Sequence, residues 1–189
     1  CIRQCKKGFL KVIKAEIISL RNEIDKIDEA IAKLLSKRVD CAVKIGVLKD
    51  QQRNSIKDGR YSAYDPAREQ EIIERLKNIA PDIPLNGIEI IFRQIISLCR
   101  NSAHKATICV LGEISKFNYK QHFGCFSQYV ICSDSSTFAA ELNKNKFNIG
   151  VVIGDVESTN IQEIEKKNFK LIDTLSNEGK VIRVYAQNL

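Results

Sequence analysis

LLSKRVDCAVKIGVLK, residues 34–49, decides the reading of this chain. Extended back to residue 20 as a helix, it aligns Leu20, Ile24, Ile27, Ile31, Leu34, Arg38, Ala42, Ile45 and Lys49 within about 40° of one line. Such a stripe belongs against apolar partners, yet Arg38 and Lys49 fall on it. Cations turned inward are costly unless something anionic meets them. The two lie eleven residues apart, so their Cα atoms are separated by roughly 16 Å along the axis. Their side chains extend toward each other and leave space for a small dianion.

Working outward, the helical pattern covers about residues 15–52, roughly 57 Å of helix. That is too long for a compact domain to bury alone, and a second copy of the same helix is the expected partner. Arg21 lies about 100° off the stripe and suits the anion pocket of a paired copy better than its own. NSIKDGRYSAY reads as a loop turning at Asp58-Gly59. YDPAREQEIIERLKN opens a second helix, with Asp65 as N-cap, Pro66 at the first position and Glu69 and Glu71 at the positive end. Arg68 marks the same helix start. After APDIPLNG, the pattern IEIIFRQIISLCRNSAHK places Ile88, Ile91, Phe92, Ile95, Cys99 and Ala103 on one face of a third helix.

Beyond His104 the pattern changes. ATICVLG, YVICS and FNIGVVIG read as buried strands, separated by SKFNYKQHF and STFAAELNKN as helices. IQEIEKKNFKLIDTL reads as a further helix and KVIRVYA as a last strand. The expected organisation is multidomain: an all-α, three-helix domain over 15–105, then a small α/β domain with a mostly parallel sheet over 106–189.

Composition narrows the function classes. With 189 residues, 44% hydrophobic and 28% charged, the chain has the make-up of a soluble globular protein. It has no apolar run long enough to span a membrane. The basic opening CIRQCKKGFLKVIKAEII lacks the uninterrupted apolar centre of a signal peptide. Seven scattered cysteines without a CxxC argue for reduced thiols in a cytosolic protein rather than a zinc site. The net charge of +7 resides wholly in residues 1–105, which hold 21 Lys and Arg against 14 Asp and Glu. An acidic partner is implied, either nucleic acid or a small anion. The inward cations and the lack of interleaved exposed aromatics favour the small anion.

LRNEIDKIDEAIAKLLSKRVDCAVKIGVLK, YDPAREQEIIERL and IFRQIISLC together resemble the all-helical chorismate mutase family, over about residues 17–104. Arg21, Arg38, Lys49, Asp65, Arg68 and Glu69 fall at that family's functional positions. The resemblance implies an intertwined homodimer that rearranges chorismate to prephenate in aromatic amino-acid biosynthesis, in the cytoplasm, without cofactor or metal. It implies that Arg38 and the partner copy's Arg21 bind substrate carboxylates, with Arg68 in support. It assigns Lys49 to a carboxylate and the ether oxygen, and Glu69 with the backbone near Asp65 to the ring hydroxyl. Cys99 stands where some members place a Ser contacting a carboxylate. Ala103 stands where the family places a Gln or Glu that donates to the ether oxygen, and Ala donates nothing. His104 is rotated about 100° from that position and is expected to be a satisfied or surface side chain. A weakened mutase is therefore expected. The alternative is a non-catalytic descendant that binds chorismate-like acids or a partner enzyme.

ICVLG, KQHFG, NIGVVIGDVEST and KVIRVYAQNL align more weakly with the first lobe of prephenate dehydratase, which follows the mutase in bifunctional enzymes. The turn after the first strand is about three residues short, and no Thr-Arg pair occurs. These departures imply a degenerate or truncated lobe without dehydratase activity. Glu157, Ser158 and Thr159 are expected to be a helix cap.

Overall fold

The computed structural model describes residues 2–55, 63–112, 117–145, 147–154, 169–177 and 180–187. Its helices are α1 (Ile2–Ser55), α2 (Pro66–Ile79), α3 (Leu85–His104), α4 (Tyr119–Phe123) and α5 (Ser135–Asn143). Its strands are β1 (Thr107–Gly112), β2 (Gln128–Cys132), β3 (Ile149–Ile153), β4 (Phe169–Asn177) and β5 (Lys180–Gln187). The chain forms two compact units, Cys1–Asp40 and Cys41–Leu189. No helix among the described residues is long and apolar enough to cross a membrane.

The first unit is the bulk of α1. No proline interrupts it, and Leu, Ile, Ala, Lys and Glu supply good helix formers. Its apolar stripe is bare in the single chain: Leu20, Ile24, Ile27 and Ile31 are each about half exposed and Leu34 is 63% exposed.

In the second unit, Asp65 caps α2 by accepting from the Arg68 backbone N–H at 3.1 Å, with Pro66 in the first turn. The helix stops before Pro81, and α3 begins after Pro84. Lys77 joins the two helices, reaching Glu89 at 3.4 Å. The side of α3 that the chain buries differs from expectation. Ile88 and Cys99 are buried as anticipated, but Ile91 stays 51% exposed. Arg93, Ser97 and Arg100, on a polar side, are buried instead. The α/β layer lies over them, so α3 is a seam between the helices and the sheet. Arg93 Nη1 donates to the His122 carbonyl at 3.5 Å, and Gln94 Oε1 accepts from the Cys125 N–H at 2.8 Å. The Ser97 and Ser127 hydroxyls meet at 3.4 Å. Gly124, at φ +83°, fits only without a side chain, because a Cβ there would stand 2.1 Å from Ser97 Cβ.

The sheet has the order β2-β1-β3-β5-β4. Its β1 pairings with β2 and β3 are parallel, whereas β3–β5 and β4–β5 are antiparallel. The expected α/β domain is present, but its sheet is mixed rather than mostly parallel. The cause is local. FKLIDTL, expected to end a helix, forms β4 and pairs with β5 from Phe169↔Gln187 to Asn177↔Lys180. Only residues 178 and 179 separate the two strands, a gap that an antiparallel hairpin closes and a parallel crossover cannot. IQEIEKKN lies outside the described residues, as do Glu157, Ser158 and Thr159.

Side chains alternate across the sheet. Ile108, Val110, Ile149, Val151, Ile182 and Val184 face one core with Phe123 and Tyr64. Cys109, Leu111, Val152 and Tyr185 face the other, covered by Phe138 and Leu142 of α5. The five described cysteines with resolved surroundings (41, 99, 109, 125 and 132) are free thiols.

Candidate active site

The residues singled out by sequence sit on three helices. Arg21, exposed, and Arg38, half-buried, belong to the first unit; Lys49, half-buried, belongs to the second. Lys49 follows Gly46 by nearly one helical turn, and Gly46 is where α1 meets α3. A Cβ on Gly46 would lie 3.2 Å from Ala103 Cβ and 3.1 Å from His104 Cε1. The bare backbone at Gly46 thus sets the approach of the two helices. It brings the Ala103 position to within about a turn of Lys49.

The α3 helix stays regular through His104, and Lys105 ends it in the left-handed region at φ 46°. His104 stacks on Phe147 with ring centroids 4.3 Å apart. It is half-buried rather than at the surface, and its ring, like Ala103 Cβ, lies beside Gly46.

Asp65, Arg68 and Glu69 cluster at the start of α2. Asp65 spends its carboxylate on the cap. Arg68 is exposed and pairs with Glu71 at 2.7 Å, a solvent-screened surface ion pair readily exchanged for another anion. Glu69 is different. It is 6% exposed, and its Oε1 accepts from Arg100 Nη2 at 2.8 Å. Burial raises its carboxyl above the usual range, against the opposing pull of Arg100 and Arg93. Its second oxygen, Oε2, is buried with no hydrogen-bond partner among the described residues. Such an acceptor is an energetic debt until a donor reaches it. Cys99 is buried on the neighbouring helix.

Sequence reasoning missed the residues that hold Glu69. Arg100 also donates from Nη1 to the Phe123 carbonyl at 3.4 Å and lies over the Tyr64 ring at 5.3 Å. Tyr64 Oη donates to Asp173 Oδ2 at 3.2 Å and contacts His122 Nε2 at 3.3 Å. The signal available in sequence was Arg93, Ser97 and Arg100 repeating along one side of α3, with Glu89 four residues before Arg93. That spacing marks a buried polar side when a second layer follows. A cleft of about 310 Å³ opens on the α3–α4 seam beside Glu89, Arg93, Phe117 and His122, and none of the residues expected from sequence lines it.

Residues 20–104, which span the end of the first unit and the helices α2 and α3, match the family described as chorismate mutase type II. Among curated relatives, the chain is 31% identical over 152 residues to the bifunctional chorismate mutase/prephenate dehydratase of Aquifex aeolicus, a match covering 76% of this chain and 40% of that protein. It is 30% identical over 120 residues to the protein of the same description from Neisseria gonorrhoeae, covering 61% of this chain and 31% of the relative. The chain therefore spans well under half the length of these two relatives. No solved structure matches it.

Proposed function

We propose that the chain is a chorismate mutase acting as a homodimer in the cytoplasm, with a domain of about residues 15–105 carrying the reaction. The observation that carries this reading is the family match over residues 20–104, within which Arg21, Arg38, Lys49, Arg68 and Glu69 lie on helices and Asp65 caps α2. The reaction breaks an ether C–O bond and forms a C–C bond within one molecule, so it needs no nucleophile and no proton transfer. The protein's task is to hold a dicarboxylate in its compact reactive conformer. It also stabilises the negative charge that grows on the ether oxygen.

Arg38 and the partner copy's Arg21 bind the carboxylates, with Arg68 released from Glu71 in support. Lys49 donates to a carboxylate and the ether oxygen. Glu69 Oε2 accepts from the ring hydroxyl, which answers its missing partner. Dimerisation is supported by the bare stripe of α1, since Leu20, Ile24, Ile27, Ile31 and Leu34 are all about half exposed or more in one chain. No cofactor or metal has a step to perform in this scheme.

The α/β layer, residues 106–189, serves as a scaffold and carries no dehydration step. The stretch that follows residue 112, about three residues shorter in sequence than in the dehydratase lobe it resembles, supports this reading.

A second reading, a non-catalytic protein that binds chorismate-like acids, is favoured by Ala103 alone. Chorismate consumption by the purified chain, followed by absorbance, separates the two. Loss above the spontaneous rate, with phenylpyruvate only after acid treatment, is the expected result. A folded dimer that leaves chorismate untouched supports the second reading.

A further inference from the structure

We propose that Arg100 is a positioning residue for Glu69, and that through it the α/β layer holds the hydroxyl-binding end of the mutase site in shape. This rests on the mutase reading above.

A carboxylate buried as deeply as Glu69 has two ways to fail as an acceptor. It can take up a proton and become a donor, or it can rotate away from its ligand. Arg100 blocks both. Its positive charge, 2.8 Å from Oε1, favours the ionised form, and its hydrogen bond fixes that oxygen so that Oε2 remains as the acceptor. Arg100 is itself fixed from the α/β layer. The Phe123 carbonyl takes Nη1, and the Tyr64 ring lies under the guanidinium. Tyr64 is held in turn by Asp173 of β4, by His122 of α4 and by the edge of Phe123 at 5.3 Å between centroids. Among the described residues, the charged groups that act on Glu69 include Arg100 and Arg93 of α3 and Asp65 at the cap of α2. Arg93 is already committed to Glu89, to which it gives two hydrogen bonds at 3.0 and 2.9 Å. Arg100, in contrast, gives its hydrogen bond to the Glu69 carboxylate itself.

Among the described residues, each member of the pair keeps one unfilled polar atom, Oε2 on Glu69 and Nε on Arg100. One is an acceptor and the other a donor. A hydroxyl group, which donates and accepts, complements both. A carboxylate ligand answers only the donor, so this end of the site selects an alcohol.

The test is steady-state kinetics of chorismate loss between pH 5 and 9 for the full chain and for Arg100→Gln, Arg100→Lys, Tyr64→Phe and Glu69→Gln. The affinity of a bicyclic diacid that mimics the transition state is measured alongside. Arg100→Gln is expected to lower kcat/KM by ~10²-fold, the scale of a small misplacement, and to move the Glu69 ionisation in the pH profile upward. Adding Glu69→Gln should remove that ionisation. Arg100→Lys should restore the wild-type profile in part, and Tyr64→Phe, which keeps the ring but frees it from Asp173, should fall between. Wild-type kcat/KM and pH profile in folded Arg100→Gln would overturn the positioning role while leaving the mutase reading intact. A wild-type chain that neither turns over chorismate nor binds the diacid overturns both. If the diacid binds without turnover, its affinity and pH dependence across the same variants decide the matter by the same criteria.

Discussion

Tyr64 donates its hydroxyl hydrogen to Asp173 across 109 residues of sequence, at 3.2 Å. One residue sits just before the cap of α2 and the other on β4. The bond therefore ties the helix that carries Glu69 to a strand of the sheet. Because the single hydroxyl hydrogen goes to Asp173, the 3.3 Å contact with His122 is satisfied when Nε2 carries the imidazole hydrogen. Burial then raises the Tyr64 phenol, with the Glu69 and Asp173 charges adding to it, so the hydroxyl stays neutral and donating.

Removing that hydroxyl should be felt throughout the second unit. Tyr64→Phe leaves the ring against Phe123 but strips Asp173 and His122 of a shared partner. A loss of about 1–3 kcal/mol is expected, read as a lower urea midpoint with unchanged slope.

Ala103 is the point at which the proposed chemistry is weakest. A Gln there restores an amide donor within about a turn of Lys49. Removing one such donor at comparable sites costs on the order of 10²–10³ in rate, so Ala103→Gln should raise kcat by at least about tenfold. No gain, in a folded variant that binds the diacid mimic, would refute the role given to this position.

Gly46 tests the contact between α1 and α3. Ala in place of Gly gains up to about 1 kcal/mol of helix propensity. The new methyl, however, would stand 3.1 Å from His104 Cε1, and His104 is backed by Phe147. Overpacking of about 1–3 kcal/mol should win. Gly46→Ala is expected to melt lower than wild type, and adding His104→Ala should recover part of the loss.

Acid should weaken the second unit through His122. Burial, and then the nearby Arg93 and Arg100, push its imidazole down to about 3. In the unfolded chain it titrates near 6.5. The unfolded state therefore binds the extra proton between these values. The His122 contribution is intact above about pH 6.5 and is lost as pH falls toward 3. Glu69 has the opposite slope, since its folded carboxyl is raised and takes a proton early. His122→Asn isolates the two. Relative to this variant, the wild type should lose up to about 2 kcal/mol between pH 7 and pH 5 in urea unfolding.

Assembly is tested on the α1 stripe. Ile24→Glu with Ile31→Glu puts like charges on the bare face and should shift the sedimenting species from dimer to monomer. Turnover should fall with it, because each site draws Arg21 from the other copy. A monomeric wild type at micromolar concentration would contradict the composite site.

The helical half was largely legible in sequence because its signals are local. The Asp65-Pro66 cap, the Pro81 and Pro84 breaks and the stripe from Leu20 to Lys49 each work through near neighbours along the chain. The sheet was legible as strands but not as directions. FKLIDTL carries enough Lys and Asp to pass for the end of a helix, and only its pairing with β5 makes it a strand. The same limit applies to the site. Asp65, Arg68 and Glu69 could be placed from the cap, but the clamp on Glu69 depends on Arg100 meeting Phe123, Tyr64 and Asp173. That arrangement is a product of the α/β layer docking on a polar side of α3, which helical periodicity treats as the side for solvent.

The bare stripe of α1 has a consequence for how this protein exists in a cell. A helix that finishes its burial on another molecule completes folding only by collision. The folded fraction then obeys mass action, and newly made chains are least secure when they are scarce. The melting temperature of the first unit should climb with protein concentration, while that of a self-contained sheet core such as Ile108, Val151 and Val184 should not.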